Sequence, residues 1–195
     1  MGRDTGKIPF TPMFLIGAVV IGVVLGYALR GRISNLSGLR LRLLWLVAVA
    51  ILIQFAIFPL FSSRAIFPYA TTELHLASYG LLFLFFIVNY QVWALLVIAL
   101  GSVSNLVVIA LNGGRMPSST HALICAGQPE IAQKLAAESM RGNIVLMSEK
   151  TKLNFLGDWL YLPHGVPLAT AFSVGDLTIA VGLVILIVWG MRSHA

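Results

Sequence analysis

Residues 154–191 read NFLGDWLYLPHGVPLATAFSVGDLTIAVGLVILIVWGM. From Phe172 to Met191 this is an apolar run with one acid, Asp176, near its mouth. About 20 such residues as a helix cross the hydrocarbon of a bilayer. The preceding half is rich in aromatics, Gly and Pro, and sets Asp158 between Gly157 and Trp159. A carboxylate beside a hydrocarbon layer is costly unless it has a partner or a task. The task of these two aspartates is the main functional question the chain poses.

Working outward, further apolar runs occupy residues 12–29, 43–61, 74–88 and 92–111. The chain of 195 residues is 58% hydrophobic and 10% charged, with a mean hydropathy of +0.92. Soluble domains carry about 25% charged residues. The expected fold is therefore a single-domain, all-α integral membrane protein with five transmembrane helices, the fifth at 172–191. One long loop, 112–170, joins the last two.

Residues 30–42, RGRISNLSGLRLR, hold four arginines and no acid. The positive-inside rule puts them in the cytoplasm. Five spans then place the N-terminus and the 112–170 loop outside and the C-terminus inside, in the cell membrane, specifically the inner membrane of a bacterium. The net charge of +6 fits a surface facing anionic lipid and gives no argument for nucleic acid. The single cysteine, Cys125, can form no internal disulfide.

Smaller signals refine this picture. Gly22 and Gly26 form a G-x-x-x-G pair suited to close helix packing within the protein. Gln54, mid-run, needs a hydrogen bond to a neighbouring helix. Thr71 or Thr72 is the expected cap of the third helix, with Glu73 and His75 in its first turn. Asn89-Tyr-Gln91 reads as a tight turn. Gly101, Ser102, Ser104 and Asn105 make a polar patch that must face protein or a cavity. In the long loop, Pro129 to Met140 predicts an amphipathic helix lying on the membrane surface, and Asn143 to Met147 a short strand. His121 has no partner at metal-ligand spacing, so neither a metal nor a cofactor is expected. His164, between Pro163 and Gly165, reads as a loop residue.

Two carboxylates brought close cannot both ionise cheaply, so they share a proton. One can act as base on a water while the other polarises a carbonyl. That is the logic of an aspartic peptidase. The C-terminal half resembles such a family, signal peptidase II, the membrane-embedded lipoprotein signal peptidase. Gly101 to Asn105 is similar to its Gly/Asn-bearing helix, Phe155-Leu-Gly-Asp158-Trp159 to its first aspartate motif, and Phe172-Ser-Val-Gly-Asp176 to the motif opening its last helix. The family's Asn-x-x-Asp-Arg run is absent, and Arg115 in Asn112-Gly-Gly-Arg115 is the candidate stand-in for its arginine. The resemblance implies catalytic Asp158 and Asp176, with Asn105, Asn112 and Arg115 toward a membrane-anchored substrate at the outer rim. The whole chain also looks like a set of small bacterial membrane proteins of unknown function.

A plainer reading stands beside this one. Ser173-Val-Gly-Asp176 is S-x-x-D ahead of an apolar run, a capping box. Asp158 after Gly157 is then a turn residue. The protein would be a non-catalytic subunit or assembly factor of a larger membrane complex.

Overall fold

A computed structural model describes residues 11–57, 70–138, 140–141 and 143–193. Seven α-helices and five short strands follow in the order α1 (Thr11–Ala28), α2 (Trp45–Ile57), α3 (Thr71–Val88), α4 (Trp93–Leu111), β1 (Met116–Ser118), α5 (Thr120–Cys125), α6 (Pro129–Glu138), β2 (Met140–Arg141), β3 (Ile144–Leu146), β4 (Asp158–Tyr161), β5 (Ala171–Ser173) and α7 (Val174–Arg192). Helices α3, α4 and α7 are long and apolar enough to cross a membrane; the apolar stretches of α1 and α2 are shorter. Five full spans are thus not reached among the described residues. Residues 58–61, expected at the end of the second span, lie outside them.

Helix α7 packs between α1 and α4, and α2 packs on α3. Glycines set both seams of α7. On the α4 side, a Cβ at Gly101 would meet Ile179 Cγ1 at 2.8 Å, and one at Gly175 the Gly101 carbonyl at 2.8 Å. On the α1 side, a Cβ at Gly22 would meet Ile187 at 3.1 Å, and one at Gly26 would run into Met191. The G-x-x-x-G pair therefore serves packing inside the chain. Gln54 Nε2 donates to Ser78 Oγ at 3.1 Å, linking α2 to α3 as its mid-helix position required. Asn89 to Gln91 form the turn between α3 and α4.

The expected all-α class needs correction. Residues 116–173 carry a mixed sheet in the order β2-β3-β1-β4-β5. Strands β1 and β3 run parallel, pairing Met116 with Ile144 and Ser118 with Leu146. With helices covering the sheet, backbone groups that a loose loop would leave to water are paired. The amphipathic helix is α6, but its apolar face does not lie on a membrane. Ile131, Ala132 and Leu135 are buried with Leu123, Met116, Ile144, Val108 and Tyr79. The sheet and α5 compete for that face, and this cap closes over the ends of α3 and α4.

The cap of α3 also differs from expectation. Ala70 is its N-cap, at φ 54° and ψ 32°, without a side-chain cap bond. Thr72 Oγ1 reaches instead to the Gly113 carbonyl at 3.4 Å, and buried His75 has Nδ1 at 3.4 Å from the Gly114 carbonyl. These residues tie α3 to the turn that opens the cap.

The arginine segment sits at the opposite end of the helices. Asn89 Oδ1 accepts from Arg42 N at 2.7 Å and Asn89 Nδ2 donates to the Arg42 carbonyl at 2.8 Å. Arg32 N donates to the Met191 carbonyl at 2.8 Å and Asn35 Nδ2 to the same oxygen at 2.9 Å. The Met191 carbonyl in the last turn of α7 is thereby satisfied by the segment that follows α1.

Candidate functional site

The two aspartates meet where the sheet joins α7. Asp158 opens β4, where it pairs with Ser118 of β1 on one side and with Ser173 of β5 on the other, ahead of an irregularity in register. Ser173 is also the residue on which α7 begins. A single residue thus ends one strand and starts the helix carrying Asp176. This connection is short, and it brings the second carboxylate beside the first.

Ser173 Oγ accepts from Asp176 N at 2.9 Å, and Asp176 Oδ2 accepts from Ser173 N at 3.0 Å, completing the capping box. The remaining oxygen, Asp176 Oδ1, accepts from Asn105 Nδ2 at 2.8 Å. Ser173 Oγ in turn donates to Asn105 Oδ1 at 2.9 Å. A Cβ on Gly175 would collide with Asn105 Oδ1, so glycine there is what lets Asn105 approach.

Asp158 is held differently. Its Oδ2 accepts from Ser118 Oγ at 2.9 Å. Its Oδ1 is buried and has no hydrogen-bond partner among the described residues. Only 6% of Asp158 and 5% of Asp176 is exposed. Burial holds the Asp158 carboxyl well above its ordinary range; the neighbouring Asp176 charge raises it further, and the Ser118 hydroxyl works in the opposite direction. Such a group carries a proton at a pH where an exposed carboxylate has lost it.

Tyr79 of α3 is buried nearby, and both carboxylates act on it electrostatically. Its ring lies 5.5 Å from that of His75, one helical turn earlier. Sequence reasoning passed over Tyr79. A usable signal was present: beyond the polar first turn, His75, Ser78 and Tyr79 are the polar side chains of α3 ahead of an apolar run.

Of the residues singled out from sequence, Asp158, Asp176 and Asn105 come together. Asn112 and Arg115 do not join them by hydrogen bonds. Asn112 caps the end of α4: its Nδ2 donates to the Val108 carbonyl and the Lys152 carbonyl, while its Oδ1 accepts from Lys152 N. Both ends of that amide staple Lys152 to the helix. Arg115 precedes β1, with Nη1 at 3.4 Å from the Gly113 carbonyl. Asp158 is a strand residue, not the turn residue of the plainer reading.

His121 Nε2 lies 3.6 Å from Cys125 Sγ on α5 and edge-on to Tyr161. His164 N donates to the Cys125 carbonyl at 2.8 Å. Among the described residues no group of three His, Cys, Asp or Glu gathers to hold a metal ion.

No curated protein matches the chain, and no solved structure does. The signal peptidase II resemblance thus gains no support from these comparisons. One family model does match, over residues 38–188, from the arginine segment to the last turns of α7. That match spans most of the sequence, and the chain belongs to DUF5317, a family of unknown function.

Proposed function

We propose that this protein is a multi-pass cell-membrane hydrolase in which Asp158 and Asp176 act as an aspartic dyad on a membrane-anchored substrate, with peptidase-like chemistry. The observation that carries this reading is the unpartnered, buried Asp158 Oδ1 beside a second carboxyl from a different element. A buried acceptor left without a partner costs about 1–3 kcal/mol, and such a cost is tolerated where a reacting water or substrate group supplies the missing bond. Asp176, held by Asn105 and Ser173 N, still has lone pairs free to take a proton from water. The resulting hydroxide adds to the carbonyl carbon as Asp158 gives its proton to the carbonyl oxygen. Collapse breaks the C–N bond as Asp176 passes its proton to the leaving amine and a hydroxyl of the tetrahedral intermediate returns its proton to Asp158, leaving a carboxylic acid and restoring both aspartates. In this reading the arginine end faces the cytoplasm and the cap lies outside.

The test is cleavage of a quenched-fluorescence peptide carrying a hydrophobic membrane anchor, by the purified protein in detergent micelles. Cleavage lost in Asp158→Asn and in Asp176→Asn, with folding retained, supports the dyad. Cleavage unchanged in both variants rejects it.

One observation favours a second reading. The capping box of α7 is complete, so Asp176 has a structural use without any chemistry, as in a non-catalytic subunit or assembly factor. That protein would co-purify with a membrane partner in fixed ratio after mild extraction.

A further inference from the structure

We propose that the arginine end of α7 holds one anionic phospholipid, its acyl chain in a surface groove and its phosphate on Arg192. This inference is independent of the aspartic dyad and rests only on the reading of the long helices as membrane spans. The groove has a volume of about 560 Å³ and runs over α7 between Leu25 and Leu29 on one side and Trp93 on the other, ending at Arg192 and Ser193. Val184, Val188 and Arg192 follow at intervals of four along α7, so one stripe of the helix leads from hydrocarbon to charge. The walls are apolar and open sideways, as a lipid chain requires.

Two indoles mark the level of the headgroups. Trp93 is 49% exposed and Trp189 37%, and tryptophan collects at the membrane interface. Arg192 makes no hydrogen bond or ion pair with any described residue. Its planar fork matches phosphate oxygens. No acidic side chain lies among the described residues of the segments that meet at this end. Residues 29–57 and 177–193 contain no Asp or Glu. The bond from Arg32 N to the Met191 carbonyl also draws the arginine segment to the same spot. A cation at the polar end of an apolar groove, with basic neighbours and no acid, selects a lipid of negative headgroup over a zwitterionic one.

The test is native mass spectrometry of the full chain released from micelles containing phosphatidylglycerol and phosphatidylcholine of identical chains. Wild type should retain phosphatidylglycerol over phosphatidylcholine by about fivefold. Arg192→Gln should bring the two lipids close to parity. Arg40→Gln, at the same end but outside the groove, should leave the preference as it was. Val188→Trp, or Leu29→Trp from the opposite wall should the first not fold, fills the groove and should lower retention of both lipids. Equal retention of the two lipids by wild type would overturn the proposal. So would an equal loss of preference in Arg40→Gln and Arg192→Gln, which marks a general basic field, or unaltered retention once the groove is filled.

Discussion

At its first turn α7 buries Asp176 among Asn105, Ser173 and the strand that carries Asp158. At its last turn it exposes Arg192 and gives its Met191 carbonyl to Arg32 N and Asn35 Nδ2. Both ends face the same physical demand, since a helix leaves unpaired N–H groups at its start and unpaired carbonyls at its finish. At the arginine end Arg32 N, Asn35 Nδ2 and Ser193 supply donors to the Met191, Trp189 and Gly190 carbonyls. At the acidic end Ser173 and Asp176 already complete the cap, yet a second carboxyl is buried beside them with one oxygen unpaired. Capping explains Asp176. It does not explain Asp158. That surplus is the reason to read the acidic end as the reaction site.

The largest expected difference between the ends is in activity. Asp158→Asn and Asp176→Asn should each lower cleavage of the anchored peptide by about 100-fold or more, while Asn35→Ala leaves it unchanged. Equal losses from Asn35→Ala would erase the distinction, because activity would then follow the integrity of α7 alone.

Packing should separate the ends next. Gly175→Val drives a side chain into Asn105 and the Gly101 carbonyl, and should cost about 1–3 kcal/mol of overpacking. Gly190→Val meets only the flexible tips of Leu36 and Leu39 and should cost less. Unfolding of the two variants in one detergent ranks them; the reverse order would mean the seam of α4 and α7 gives way more easily than its contacts imply.

Hydrogen bonds at the two ends should matter about equally. Asp176→Asn weakens the capping box and its dipole interaction, at about 1 kcal/mol. Asn35→Ala removes one donor from the Met191 carbonyl, again about 1 kcal/mol. Thermal unfolding of both variants checks this; several-fold greater loss for Asp176→Asn would show that its bond to Asn105 carries more than a cap.

Much of this contrast was legible in the sequence. The capping box, the Gly22–Gly26 seam, the Gln54 hydrogen bond, the α6 helix and the strand near Val145 all rest on local spacing, and each lies where that spacing put it. The sheet was not legible as a whole. Its strands are two to four residues long, too short for alternation to emerge, and β1 finds its partners far along the chain. The surface placement of α6 failed for a related reason. An amphipathic face states that something apolar covers it, not whether that is lipid or Leu123 and Met116. Tyr79 was missed because its place beside the aspartates depends on α3, β4 and α7 meeting, which no single window contains. Asn112 looked like a ligand from its neighbours in sequence, and its bonds to Lys152 are a contact between distant segments.

The central claim is that Asp158 belongs to a proton-sharing pair, and its own titration tests that most directly. The folded carboxyl is raised above its ordinary range, so the native state keeps a proton that the unfolded chain releases above about pH 4. The stability of wild type should therefore fall as pH rises from there through the folded pKa, then level off. Asp158→Asn keeps the shape without the ionisable group and should lack that decline. The measurement is the unfolding free energy of both proteins in one detergent from about pH 4 to about pH 8. The account predicts that the variant gains on wild type steadily with pH. Parallel curves, or a wild type that gains on the variant as pH rises, would contradict it.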